Sequence, residues 1–255
     1  MLTVLSPAKR LAARPLLALP PGLAPRPPRF QDQASELARI ARGLSVADLR
    51  RLMHLSEPLA RLNVDRFAAF DTAEAVPALA LFDGDTYAGL DARTMDEDAL
   101  RWAESHLGIL SGLYGLLRPL DLIRPHRLEM GTRLANPRGG SLYDFWGSRI
   151  AEALNEAAAE TGARALVNCA SVEYFTAVDR AALRIALISP VFLEDRGDGP
   201  RIVSLWAKRA RGAMARFIAE NRLTDPEDLL DFRAGGYVHA PDLSEPDRPV
   251  FLRET

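Results

Sequence analysis

Six prolines fall between residues 15 and 28, so this stretch runs extended and cannot be helical. It follows a single short apolar run, Leu2–Leu5, which Pro7, Lys9 and Arg10 interrupt before it reaches the roughly 7 to 15 apolar residues of a signal peptide. The run reads as a first buried strand, and the proline-rich stretch as a loop that wraps the surface.

Beyond the loop, Gln31–Arg42 has helical spacing, and Val46, Leu49, Leu52 and Met53 continue it in a second helix. "SEPLARL" breaks the pattern, and Asn63 caps a short third helix carrying Val64, Phe67 and Phe70. "ALALFDG", residues 78–84, reads as a buried strand ending in a turn. Thr94 and Glu97 form a capping box for a helix that runs to Leu107 and stops at Gly108. The glycines and prolines of "LSGLYGLLRPLDLIRPHRLEMG" are too closely spaced for a long regular element and predict a structured loop or short helical turns.

Residues 142–160 predict a helix and "ALVNC" a strand. Residues 184–194 and 201–206 flank "DRGDGP" as a β-hairpin, and a long helix occupies residues 207–222. Thr224 and Glu227 cap another helix, and residues 237–239 with 249–253 close the chain as a second hairpin. Strands and helices mix without strict βαβ alternation. The expected fold is therefore α/β, a mixed sheet surrounded by helices and not regularly doubly wound. One domain over residues 1–255, with a helical insertion at residues 30–70, is the expected layout.

A formal charge of -2 argues against a protein that coats nucleic acid by bulk charge, while leaving room for a local basic patch. The one cysteine, Cys169, excludes an internal disulfide and any multi-cysteine metal site, and a cytoplasmic location is the default. Nothing approaches the roughly 18 apolar residues of a membrane span. The chain has no Walker A loop, no G-x-G-x-x-G and no G-x-S-x-G. His54, His106, His126 and His239 lack the i, i+4 spacing of a metal clamp, so neither a metal site nor a cofactor is expected.

The positive charge is unusual in kind: thirty arginines stand against two lysines, Lys9 and Lys208. Lysine is a compact charge that can shed its proton on burial and act as base or Schiff-base nucleophile, which arginine cannot. This usage marks both positions, although chance gives the same count. Lys9 follows the first strand directly, where α/β folds commonly line a ligand crevice, but an incidental surface lysine fits equally.

In "AKRARGAMARFIAENR", Ala207, Ala210, Met214, Phe217 and Ile218 gather on one buried face. Arg209 and Arg216 project nearly opposite it, while Lys208, Arg211 and Arg222 share one flank. All five cations fit a solvated face. A cationic row bordering the buried stripe also fits the wall of an anion-binding groove, with phosphate as natural partner. Asp83 and Asp85 in "FDGDTYAG" are either a plain turn or a pair able to bind a cation or serve as acid and base. Tyr143, Phe145, Trp146 and Tyr114 are either core or base-stacking groups.

Taken in order, "LSPAK", "FDGDTYAGL", "LSGLYGLLRPLDLIRPHRLEMGTRL", "LYDFWG", "NCASVEYF", "PVFLED" and "WAKRARGAMARFIAENRL" resemble the bacterial YaaA-type peroxide-stress proteins over nearly the whole chain. The resemblance implies a cytosolic, DNA-binding protein that helps cells survive hydrogen peroxide by limiting unincorporated iron. It also implies one mixed α/β unit with a positively charged cleft and a helix-hairpin-helix-like element. Residues 46–70 are the segment that fits that element, without its usual glycines. His126 stands where the family pattern has Tyr and Cys169 where it has Leu, so neither takes over a family role. On a buried strand Cys169 is a packing residue, since a reactive thiol needs exposure and a lowered pKa.

Two functions follow as expectations. The first is a protein that binds double-stranded DNA with little sequence specificity through Lys9, Lys208, Arg209, Arg211 and Arg216, and affects iron indirectly. The second is an enzyme acting on a nucleobase, nucleotide or damaged DNA, with Lys9 or Lys208 as nucleophile or base assisted by Asp83 or Asp85. A scaffold for a protein partner is a third reading.

Overall fold

The computed structural model describes residues 1–15, 17, 19–197 and 199–254. Leu16 and Ala18 of the proline-rich loop and Asp198 of the "DRGDGP" turn therefore lie outside the described residues. Strand β1 (Leu2–Leu5) leads into that loop, and helices α1 (Gln31–Arg42), α2 (Val46–Met53) and α3 (Glu57–Ala68) follow. Next come β2 (Val76–Pro77), α4 (Ala78–Leu81), α5 (Asp85–Leu90) and α6 (Glu97–His106). The chain continues through β3 (Leu107–Ser111), β4 (Gly115–Leu117), β5 (Leu122–Ile123), α7 (Leu142–Trp146), α8 (Arg149–Thr161), β6 (Ala165–Cys169) and α9 (Val172–Phe175). It ends with β7 (Ala186–Ile188), β8 (Val191–Asp195), α10 (Ser204–Asn221), β9 (Val238–His239) and β10 (Val250–Glu254).

The main sheet has the order β4-β3-β1-β6-β7. β1 runs parallel to both β3 and β6, and β6 to β7, while β4 returns antiparallel from β3. As the central strand between two parallel neighbours, β1 is buried along its whole length, its three apolar residues and Thr3 alike. A second sheet, β8-β10-β9, pairs β10 parallel with β8 and antiparallel with β9, and β2 pairs with β5. The fold is thus a mixed α/β architecture without regular double winding.

Several local expectations need correction. "ALALFDG" is not a strand: β2 ends at Pro77, and α4 follows as one helical turn whose four residues are all buried. A short apolar run satisfies strand and buried helix equally, and burial here comes from packing on every side. Residues 184–206 do not form a hairpin. β7 joins the main sheet, β8 the second, and "SLWAK" belongs to α10, leaving an isolated bridge between Glu194 and Arg201 among the described residues. The glycine-rich block is a tight β3–β4 hairpin turned at Gly115, whose φ of 68° is open to glycine at no steric cost. The expected helix over 142–160 is two helices, α7 and α8, separated at Gly147 with φ 49°.

"SEPLARL" lies mostly inside α3, where Asn63 is buried rather than a cap. The α2 and α3 helices are joined by residues 54–56 only, with His54 at φ 52° in the position a glycine would hold. This pair does not confirm a helix-hairpin-helix element. Asp96, not Thr94, caps α6 through the backbone N–H of Ala99 at 2.7 Å. No described helix is long and apolar enough to cross a membrane.

Candidate functional site

β1 and β6 are parallel neighbours, so their carboxyl ends open on the same edge of the sheet, where α/β folds form ligand crevices. Serines join the two exits. The backbone N–H of Ser171 donates to Ser6 Oγ at 2.8 Å, and the Ser6 hydroxyl donates to Ser171 Oγ at 3.2 Å. Tyr87 of α5 donates its phenol to the Ser6 carbonyl at 3.1 Å. Burial raises the Tyr87 pKa well above its ordinary value, which keeps the phenol protonated for this bond.

The opposite wall is α10, and two glycines set how near it comes. A Cβ on Gly89 would lie 2.0 Å from the Arg209 carbonyl oxygen, and one on Gly212 only 1.8 Å from that of Thr86. Backbones that approach so closely admit no side chain at either position. The crossing brings the Lys208 and Arg211 positions of α10 against the turn that opens α5.

Together these segments enclose a cleft of about 470 Å³. Lys9, Lys208, Asp83 and Asp85 all line it, as does Arg211. Arg209 and Arg216 do not. Arg209 lies over the Trp206 ring at 5.3 Å, and Arg216 donates to Thr94 Oγ1 at 2.6 Å, to the Asp91 carbonyl at 3.1 Å and to Glu220 at 2.8 Å. Arg222, on the same flank as Lys208, pairs with Asp98 at 3.1 Å.

The cleft is mixed in charge. Lys9 pairs with Glu129 at 2.9 Å, and Arg10 holds Asp83 at 2.8 Å. Burial pushes the Glu129 carboxyl up, but the bonds from Lys9 and Arg127 outweigh it and hold the group below its ordinary value. Arg211 and Lys208 differ from these: among the described residues neither makes a hydrogen bond or ion pair, and Arg211 is half-buried. Burial lowers the Arg211 pKa, the nearby Cys169 acting weakly the other way. A guanidinium remains charged even so, and one left half-dry without a counter-ion is poised for an incoming anion.

Cys169 is almost wholly buried at the cleft floor, and burial pushes its thiol up to about 12 against the opposing pull of Arg211. It is packing, as expected. The aromatic candidates are core as well: Phe145, Trp146 and Tyr114 are fully buried, and Tyr143 donates to the Glu173 carbonyl at 2.9 Å. Among the described residues no three His, Cys, Asp or Glu side chains are grouped to hold a metal ion.

Sequence reasoning did not single out Ser6, Ser171, Tyr87, Arg10 or Glu173, though all line the cleft. The signal for the crossing was Gly212, an isolated glycine inside a strongly helical pattern, which costs about 1 kcal/mol unless packing requires it.

Residues 1–243 match the family model described as peroxide stress protein YaaA. The chain belongs to this family. A UPF0246 protein of Cereibacter sphaeroides strain ATCC 17029 is 75% identical, with 99% of both chains covered. A UPF0246 protein of Jannaschia sp. is 56% identical over 99% of this chain and 97% of its own. One of Ruegeria pomeroyi is 54% identical over 99% and 98%. These relatives align with this chain along nearly its whole length.

Proposed function

We propose that this YaaA-family member is a cytosolic DNA-binding protein of the hydrogen peroxide stress response, holding DNA phosphate at the Lys208 and Arg211 wall of the cleft and limiting unincorporated iron indirectly. The observation that carries the reading is the pair of cations without partners, one of them half-buried, in a cleft whose other cations are already neutralised. Lys9 contributes the opposite lip, and its ion pair with Glu129 is exchangeable because the lysine side chain is 60% exposed. Arg209 and Arg216 act outside the cleft in this reading, one stacked on Trp206 and the other bracing α10.

Fluorescence anisotropy with a short labelled duplex tests it. Affinity should fall as salt rises, with a log–log slope of about -0.9 for each phosphate contacted. Lys208→Ala should flatten that slope by about one contact across unrelated sequences. A salt-independent curve, or a slope unchanged in Lys208→Ala and Arg211→Gln, refutes the reading.

The meeting of Lys9 and Lys208 with Asp83 and Asp85 in one cleft favours a second reading, a lysine-dependent enzyme acting on a nucleobase, nucleotide or damaged DNA. Borohydride trapping on duplex containing an abasic site decides it. A covalent adduct lost in Lys208→Arg or Lys9→Arg supports the enzyme, and no adduct rejects a lysine nucleophile.

A further inference from the structure

The cleft that receives DNA phosphate is too small for a duplex. A volume of about 470 Å³ lies within the roughly 300–1,000 Å³ of small-ligand sites, the size of one nucleotide with some water. B-DNA is far wider than this opening, so a duplex lying across the mouth reaches Lys208 from outside, but not the half-buried Arg211. Only a nucleotide that has left the helix does so.

The rim carries a second observation. Val172 is 83% exposed, the most exposed of the large apolar side chains among the described residues. It stands between Ser171 and Glu173, both of which line the cleft, at the first position of α9. The backbone on either side of it is held: the Ser171 N–H donates to Ser6 Oγ at 2.8 Å, and the Glu173 carbonyl accepts from the Tyr143 hydroxyl at 2.9 Å. On α10, Leu205 is 42% exposed one helical turn before Lys208. An apolar side chain held stiffly beside a single-nucleotide cavity is the arrangement with which proteins enter a base stack.

We propose that the cleft takes one nucleotide everted from a DNA duplex, with Arg211 and Lys208 on its phosphate and Val172 filling the gap left in the stack. The inference rests on the DNA-binding reading above and names the form of DNA the site accepts. Asp85, which makes no ion pair or hydrogen bond among the described residues, is the acceptor available to the N–H groups of the everted base. Because unpairing is the main cost of eversion, a mismatched position should be taken more readily than a paired one.

The test uses the full chain and duplexes carrying 2-aminopurine at a central position, paired or mismatched. Binding, followed by anisotropy, is read beside 2-aminopurine fluorescence, which rises when the base unstacks. The wild-type protein should raise the fluorescence severalfold and bind the mismatched duplex about tenfold more tightly. Val172→Ala, at an exposed position that leaves folding intact, should keep most of the affinity and lose at least half of the fluorescence rise. Binding without a rise, equal affinity for both duplexes, or a full rise in Val172→Ala each overturns the inference while leaving DNA binding standing. Absence of binding to either duplex overturns the DNA-binding reading itself, and this inference with it.

Discussion

Gly212→Ala probes the contact that builds the site. The added Cβ would lie 1.8 Å from the Thr86 carbonyl oxygen and 2.7 Å from the Leu90 backbone nitrogen, whereas real Cβ atoms keep at least 3.0 Å. The neighbours are backbone atoms that cannot rotate aside, so α10 and α5 must separate by about 1.2 Å, the difference between those two distances. Overpacking of this kind costs about 1–3 kcal/mol. Against it stands a helix-propensity gain of about 1 kcal/mol for alanine over glycine. The buried stripe of Ala207, Ala210, Met214 and Ile218 moves with the helix, so the cost should prevail.

Urea denaturation should therefore show Gly212→Ala less stable, by up to about 2 kcal/mol. Duplex affinity should fall further than stability explains, because Lys208 and Arg211 are carried away from the opposite wall. Gly140→Ala is the control, since nothing lies within 4 Å of its Cβ and its φ is not positive. A Gly212→Ala protein as stable as wild type, with unchanged affinity, would refute the close crossing and the account of the cleft built on it.

Three further outcomes follow from the same coordinates. His126 is buried, with Nδ1 bonded to the Arg124 carbonyl at 2.8 Å, and burial lowers its pKa from 6.5 to about 4. The unfolded chain therefore binds the extra proton between those values, and stability falls by about 3 kcal/mol as pH drops through that window; His126→Gln should remove this part of the slope in denaturation at a series of pH values. Cys169, with its thiol raised to about 12 by burial, should resist a disulfide reagent at mildly alkaline pH until the protein is unfolded; rapid labelling of the native protein would contradict its placement. Arg216→Ala should lower stability by about 1–2 kcal/mol through loss of its bonds to Thr94 and Asp91, and leave the salt slope of duplex binding unchanged.

Elements with a single strong local signal were legible in the sequence. Leu2–Leu5, Gln31–Arg42 and "ALVNC" occur where apolar spacing puts them, and the closing hairpin pairs Phe251 with His239 as expected. Elements decided by distant partners were not. The "ALAL" turn is helical because it is enclosed on all sides, and residues 186–195 divide between two sheets because their partners lie at 165–167 and 250–254. At the site, lysine usage pointed to Lys9 and Lys208, and helix geometry to the flank carrying Arg211. The same geometry set Arg209 and Arg216 on another side of the helix but could not show what occupies them, because the acceptors of Arg216 come from residues 91 and 94, far away in the chain. Ser6 and Ser171, 165 residues apart, have no local signature at all.

The position of β1 has a consequence for the order in which the molecule is made. β1 lies in the middle of the sheet and is made before both its neighbours, β3 and β6, the second of which does not exist until residue 169 has left the ribosome. At roughly 5–20 residues per second the strand waits about 8 to 32 s for that partner, its apolar edge meanwhile open to other chains. The proline-rich loop that follows it resists pairing throughout this interval, since prolines give a sheet no N–H to add to. Assembly of the cleft is later still: with one lip at residue 9 and the other at residue 211, it is not complete before α10 has docked.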